Sequence, residues 1–463
     1  MQKIHRPLIY IFMKRAVTEY LQDWKSSANR KPLILRGARQ VGKTYSLKEF
    51  GSSAFSRYHY VNFEKDEKIG RIFEQDLKPD RILNELQFYL DQSIDRRLDL
   101  LIFDEIQRSP RALTSLKYFF EEMPELALCA AGSLLGVTLH LDSFPVGKVQ
   151  FLDMYPLSFA EFLEGVGKER LAELVRTHDF AKPFPEMAHE QLWALWKHYL
   201  VVGGLPEAVN HYRERQGNLY EAVQVIRKTQ RDLLDAYLAD MAKHSGKANA
   251  LHIEKLWRNV PMQLARVQDG SAGKFKLREG IPGIRGYERL SVPLDWLEGA
   301  NLVIRVPIIE AAGIPLSGFV KENRFKLYFF DVGLLGAVSG IAPATFLNYD
   351  FGSYQGYVAE NFVAQELRAA GHKALYSWQG RTAEVEFLLE KEGKIVPLEV
   401  KSGWVTQSKS LKVFAERYHP PEAYVLSANN ISHRHINHYL PLYVAGRTAH
   451  GPEQKSSTIG IGE

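Results

Sequence analysis

Gly37-Ala38-Arg39-Gln40-Val41-Gly42-Lys43-Thr44 decides the first third of this chain. Its spacing fits G-x-x-x-x-G-K-[ST]. Glycines let a short backbone curl so that successive N–H groups point inward at phosphate. A helix starting at the end of the loop adds its positive N-terminus. Lys43 is then expected on the β/γ-phosphates and the Thr44 hydroxyl on Mg²⁺. The apolar run Leu33-Ile34-Leu35 precedes the loop and a helical pattern follows it, which is the context such a loop requires.

A polyphosphate site also needs carboxylates for metal and water. Leu100-Leu101-Ile102-Phe103 reads as a buried parallel strand, with Asp104 and Glu105 at its C-terminal end. Ligands of open α/β sheets bind at that edge. Asp104 is the expected Mg²⁺ ligand, directly or through water, and Glu105 is placed to orient or activate the attacking water. Ala130-Ala131-Gly132-Ser133 ends the next strand. Ser133 either contacts the γ-phosphate or water, or is a small residue needed for packing. Arg39 and Lys148 are candidate cations for the charge that develops in hydrolysis.

Short apolar runs over 58–63, 98–104, 127–132 and 149–155 alternate with amphipathic segments over 80–94 and 110–122. Such alternation implies right-handed crossovers and a mostly parallel sheet. From 158 to about 237 the pattern is helical, interrupted at Val202-Gly203-Gly204-Leu205-Pro206. Helices over 253–264 and 287–299, then strands over 302–307 and 326–330, suggest a winged helix with a two-stranded wing. The last part reads as a compact α/β domain: a helix over 357–370, strands over 374–378, 383–389 and 394–401, a helix over 408–418 and a strand over 423–427.

The 463 residues bound the rest. That length suits about three domains. With 45% hydrophobic, 12% aromatic and 24% charged residues, the chain is ordinary globular material, neither disordered nor fibrous. A net charge of +5 neither demands nor excludes nucleic acid, so any basic surface is local. The single cysteine, Cys129, excludes an internal disulfide and any Cys-rich zinc site. Residues 126–141, the longest uncharged stretch, are too short and too polar to span a membrane, and the apolar 7–13 lacks a cleavage site. A cytoplasmic protein without a membrane partner is the expectation.

Arg36 to Thr44, Asp104-Glu105-Ile106-Gln107, Gly132-Ser133 and Tyr155-Pro156-Leu157-Ser158-Phe159 together resemble a prokaryotic AAA-superfamily P-loop ATPase family whose members carry a C-terminal domain of unknown function. The resemblance spans nearly the whole chain. It implies ATP with Mg²⁺, a helical lid and a winged-helix segment. Gly204-Leu205-Pro206 matches the lid motif that lies near the nucleotide base in related ATPases, which puts Pro206 among the nucleotide-binding candidates; the other reading is a helix-terminating turn. Ring assembly of relatives makes a homo-oligomer an expectation by analogy. The resemblance begins at Met13-Lys14-Arg15, so a start placed upstream of the true one is expected for 1–12. The implied division is 13–160 ATPase core, 161–246 lid, 247–345 winged helix, 346–448 C-terminal domain and 449–463 loose tail.

The C-terminal strands carry a second constellation. Alternation puts Glu399 and Lys401 on one strand face, away from Val396, Leu398 and Val400. With Glu392-Gly393 as the turn, Glu386 falls directly opposite Glu399, Cβ atoms ~4.5–5.5 Å apart. Two such carboxylates repel unless a proton or cation intervenes, which suits Mg²⁺. This E-x-K arrangement resembles the restriction-endonuclease-like fold, and Glu360 on the preceding helix stands where that superfamily often has a further metal-site acid. Glu386 departs from the usual aspartate. The other reading is a solvated Glu/Lys cross-strand bridge.

His433, His435 and His438 read as a surface strand. Arg278, Arg285 and Arg289 flank the proposed recognition segment, as DNA contacts or as a solvated face. Three functions stay open: an ATPase governing DNA binding or cleavage, an ATP-held switch whose nuclease-like domain is inactive and serves as a binding module, and a DNA-bridging protein with residual ATPase.

Overall fold

Strands buried on both faces have no reason to alternate, and the central strands of the N-terminal part, over 33–35, 100–103 and 127–131, are apolar runs buried in this way, flanked by more exposed strands. In the computed structural model they form one parallel sheet: β1 (Leu33–Arg36), β2 (Arg57–Asn62), β3 (Asp99–Asp104), β4 (Ala127–Gly132) and β5 (Gln150–Asp153), in the order β2-β3-β4-β1-β5. The structure describes residues 15–133, 147–265, 274–281, 287–349, 352, 354–404 and 406–449. The extension 1–12 and the tail beyond 449 lie outside them, as does Arg285; the side chains of Arg278 and Arg289 are likewise outside the description.

The chain divides into two bodies. The first comprises Arg15–Tyr155 with Leu294–Leu302. Its helices are α1 (Ala16–Ser26), α2 (Lys43–Ala54), α3 (Pro79–Leu90) and α4 (Pro110–Glu122). Ser109 caps α4 through the Ala112 N–H, with Pro110 at the first helical position. The core centres on Phe103, which meets Phe63, Phe73 and Phe119 edge-on with ring centres 5.5, 5.8 and 6.3 Å away.

The second body comprises Pro156–Pro293 and the chain from Val303 onward. It starts with helices: α5 (Phe159–Gly165), α6 (Glu169–Thr177), α7 (Glu186–Val202), α8 (Pro206–Glu214), α9 (Leu219–Ser245) and α10 (Lys247–Ala265). Ser158 and Glu161 form a reciprocal capping box on α5. After α11 (Tyr287–Gly299) come β6 (Val303–Ile309), β7 (Phe325–Phe329), α12 (Val332–Val338), α13 (Tyr354–Ala369), β8 (Tyr376–Gln379), β9 (Glu384–Lys391), β10 (Lys394–Val400), α14 (Lys409–Tyr418), β11 (Ala423–Ser427), β12 (Ser432–Arg434) and β13 (Asn437–Pro441).

The strands of this body make one mixed sheet ordered β12-β13-β11-β10-β9-β8-β6-β7. The expected wing is therefore not a free hairpin. β6 and β7 do pair antiparallel, but β6 runs on past Pro307, and Ile308 and Ile309 pair in parallel with Ser377 and Trp378 of β8. An edge of unpaired N–H and C=O groups on β8 is thereby satisfied. α13 is buried along almost its whole length. Asn361 bonds both Phe329 N–H and Phe329 C=O, and Gln365 accepts from Val332 N–H, so the helix is tied to the end of β7 and the start of α12.

The β9–β10 turn folds as its residues require. Glu392 and Gly393 both have positive φ, 51° and 72°, as a two-residue hairpin of this twist demands. The register follows: Lys394 opposite Lys391 through Leu398 opposite Phe387. The next pair in that register is Glu399 and Glu386.

Candidate functional site

The parallel register brings the phosphate loop and the acids to one edge. β4 lies between β1 and β3; Arg36 pairs with Gly132, and Asp104 with Ala131. Ser133 thus leaves the sheet between the loop after β1 and the carboxylates after β3. Its hydroxyl is buried and has no hydrogen-bond partner among the described residues.

The loop itself needs its unusual backbone. Gly37 has φ +151°, and a Cβ there would lie 2.1 Å from the Met154 carbonyl oxygen. Gln40 and Gly42 also have positive φ. α2 starts at Lys43, directly on the loop. Behind it, the buried Arg15 guanidinium donates to Val41 C=O (2.9 Å) and Tyr155 C=O (2.7 Å). This bracing escapes a motif search, because Arg15 lies far upstream of the loop.

Lys43 is buried, and its ammonium donates to the carbonyls of Gly37 (2.9 Å) and Ala38 (2.7 Å). Burial pulls its pKa down to about 8; Glu105 and Asp104 resist that, and Arg39 adds to it. Asp104 Oδ2 accepts from Thr44 Oγ1 (2.9 Å) and Tyr60 Oη (2.6 Å), and Asn62 donates to Tyr60 Oη (3.0 Å). Tyr60 is a residue the sequence reading missed. The signal was present: alternation puts Tyr58, Tyr60 and Asn62 on one face of β2, and Asn62 pairs with Asp104. Burial raises the Glu105 carboxyl pKa; Gln107 Nε2, donating at 2.5 Å, and nearby Lys43 and Arg39 oppose that rise, while Asp104 adds to it. Glu105 also sits at positive φ, 52°, a conformation held by its surroundings at a functional edge.

These residues fit Mg²⁺-nucleotide. Thr44 and Asp104 offer hard oxygen donors within one hydrogen bond of each other, and the orphaned Ser133 hydroxyl awaits a polar group. Of the two candidate cations, Arg39 is near enough to Lys43 and Glu105 to shift both. Lys148 is not in the site. It precedes β5, at the N-terminal edge of the parallel sheet, and pairs with Glu121 at 3.0 Å.

In the second body, Pro206 starts α8 one residue after Gly203-Gly204, with Leu205 between them as the N-cap residue. Gly204 N–H donates to Asp331 at 2.7 Å, and a Cβ on Gly204 would lie 2.2 Å from Leu157 C=O. The glycines answer to this close packing.

The C-terminal acids do gather. Glu360, Glu386 and Glu399 are all buried. Lys401 Nζ lies 2.6 Å from Glu399 Oε1, and Glu386 Oε2 accepts from Val400 N–H at 3.1 Å. Burial, with Glu399 and Glu360 alongside, drives the Glu386 carboxyl well above the ordinary range; Lys326 and Lys401 offset part of this. Lys326 was not anticipated. Its ammonium is fully buried, 2.5 Å from Glu384 and 3.4 Å from Glu360, which also accepts from Tyr328 Oη at 2.7 Å. Burial alone would pull Lys326 down, but Glu360, Glu384 and Glu386 outweigh it and hold its pKa above the usual lysine value. Among the described residues no three His, Cys, Asp or Glu side chains are grouped to hold a metal. Lysines face two of the three acids: Lys326 lies beside Glu360 and Lys401 beside Glu399.

His433, on the edge strand β12, and His438, on its neighbour β13, face each other, Nδ1 to Nδ1 at 2.8 Å, and His433 is exposed as expected. Among the described residues no helix is long and apolar enough to cross a membrane.

Residues 29–163 match the family described as an AAA domain. Residues 194–345 and 355–444 match two domains of unknown function, DUF8612 and DUF4143. No curated protein matches this sequence. Similar solved structures include Caenorhabditis elegans PCH-2, at 12% identity over 46% of this chain and 67% of that one, TM-score 0.30. Others are the Aeropyrum pernix ORC1 protein in complex with DNA (14%, 70% and 90%, 0.28) and the Thermotoga maritima RuvB Holliday junction branch migration motor (16%, 63% and 89%, 0.29). Residues 29–163, with their five-stranded parallel sheet and phosphate loop, form an AAA-type P-loop domain.

Proposed function

We propose that this protein binds ATP with Mg²⁺, hydrolyses it at the β1/β3 edge, and uses nucleotide state to govern a DNA-associated C-terminal domain. One observation carries the reading: Lys43, Thr44, Asp104, Glu105 and Ser133 converge on one sheet edge. Mg²⁺, when bound, neutralises charge on the β/γ-phosphates. Thr44 and Asp104 are the residues to hold it. Lys43 leaves the loop carbonyls for the phosphates, and the inward N–H groups of 37–44 line the polyphosphate. Glu105 orients water for in-line attack and takes its proton as the bond to the departing phosphate breaks. Ser133 bonds the γ-phosphate or that water, and Arg39 is the nearest cation for the developing charge.

In this proposal Pro206 belongs to the lid beside the base. The 247–345 segment acts as a winged helix, and the C-terminal domain is restriction-endonuclease-like in build. Copies of the chain assemble as a homo-oligomer. Phosphate release by wild type and Lys43→Ala tests the enzyme; equal rates end the proposal. Salt-dependent DNA binding tests the partner.

A second reading has its own support. The lack of a metal-holding acid group among the described residues favours a switch whose nuclease-like domain binds without cleaving. Plasmid that stays intact in Mg²⁺ or Mn²⁺ with ATP favours it; nicking that depends on Glu399 removes it.

A further inference from the structure

Glutamates from three elements of the C-terminal sheet and its packing helix gather beside a buried lysine. Glu360 comes from α13, Glu384 and Glu386 from β9, and Glu399 from β10. Lys326 enters from β7, at the end of the sheet order. Its side chain has no solvent exposure, and its ammonium contacts Glu384 at 2.5 Å and Glu360 at 3.4 Å. A compact ammonium so placed balances charge as a divalent ion would. It cannot lower the pKa of a bound water or act as a Lewis acid.

Every carboxylate is engaged. Tyr328 and Lys326 donate to Glu360, Val400 N–H donates to Glu386, and Lys401 pairs with Glu399 at 2.6 Å. The second Glu399 oxygen is buried without a hydrogen-bond partner, so spare ligand capacity remains there. A divalent ion reaching for it together with Glu360 would come against the Lys326 ammonium in a low-dielectric interior, where like charges repel strongly. Four glutamates against two lysines also leave the cluster without excess positive charge to receive a phosphodiester.

We infer that Lys326 is the resident cation of this cluster, occupying the role of a divalent metal and thereby keeping Mg²⁺ and Mn²⁺ out of the C-terminal domain. The inference rests on the non-cleaving reading and deepens it: a single lysine is what separates this domain from a metal-binding one. It is independent of hydrolysis at the phosphate loop.

Nucleotide-free full-length protein is titrated with Mn²⁺, and the electron paramagnetic resonance signal of free Mn²⁺ is followed. Wild type and Glu399→Gln are expected to take up the same amount. Lys326→Met, which keeps the apolar stem, is expected to take up one Mn²⁺ more per chain, with Mn²⁺ raising its melting temperature beyond any rise seen in wild type. Equal uptake by wild type and a folded Lys326→Met overturns the inference. So does wild-type uptake that Glu399→Gln or Glu386→Gln removes, a comparison that decides the matter even if Lys326→Met does not fold. Plasmid nicking is measured on the same samples. Glu399-dependent uptake with intact plasmid sinks the lysine inference and leaves the binding-module reading standing; Glu399-dependent nicking sinks both.

Discussion

Thr44 Oγ1 and Tyr60 Oη donate to the same oxygen of Asp104, at 2.9 and 2.6 Å. The acid of the phosphate site is therefore aimed by two hydroxyls from different elements, one on α2 and one on β2. Tyr60→Phe removes one of them without touching the loop. One hydrogen bond to a charged group is worth about 1.5–3 kcal/mol. Turnover is expected to fall about tenfold, with the nucleotide dissociation constant changed less than about threefold. Steady-state phosphate release and equilibrium nucleotide binding separate the two quantities; a Tyr60→Phe enzyme with wild-type turnover refutes the aiming role.

Nucleotide affinity is expected to depend on pH through Lys43. Burial leaves this ammonium with a pKa of about 8 in the free protein. Phosphates favour its charged form, so binding takes up a proton when pH exceeds about 8 and none well below it. Affinity falls by up to about tenfold per pH unit above that point. Calorimetric titration at alkaline pH, in two buffers of different ionisation enthalpy, reads the proton directly.

Arg15 braces the loop by two carbonyl bonds from one planar group. Arg15→Ala is expected to cost about 3 kcal/mol and to weaken nucleotide binding together with stability. Arg15→Lys does not restore either, because an ammonium lacks the fork that reaches both carbonyls. Urea unfolding and nucleotide titration of the three proteins check this.

Glu366 supplies a second pH effect. It is buried and accepts from Phe159 N–H at 2.8 Å. Burial raises its pKa to about 8; the Phe159 bond opposes this and Glu161 adds to it. The folded state thus keeps a proton that the unfolded chain releases near the ordinary 4.5. Its contribution to stability is complete below pH 4.5 and is lost as pH rises toward 8. Glu366→Gln cannot titrate. Relative to wild type it is expected to gain roughly 4 kcal/mol between pH 4.5 and pH 8. Denaturant midpoints at the two pH values measure the gain; an unchanged difference rules it out.

The parts legible in the sequence are those set by local chemistry. The phosphate loop follows from glycine placement and a lysine at a helix start. The β9–β10 register follows from the Glu392-Gly393 turn, so the Glu386–Glu399 juxtaposition was readable before any fold was known. What escaped depends on strand order. Lys326 reaches Glu360 and Glu384 only because β6 docks beside β8, and no spacing along the chain encodes that. Tyr60 was hidden for a milder reason: its neighbour on β3 is set by parallel pairing, although alternation already put it on the right face. Lys148 looked available as a cation because sequence does not show which sheet edge a residue occupies.

The pairing of Ile308 and Ile309 with Ser377 and Trp378 has a consequence for how this protein can be dissected. The segments matched as two separate domains of unknown function, 194–345 and 355–444, contribute strands to one sheet. A cut between them strands the Lys326 ammonium from its carboxylates and bares backbone on both fragments. Each piece alone is expected to be less stable than the two together.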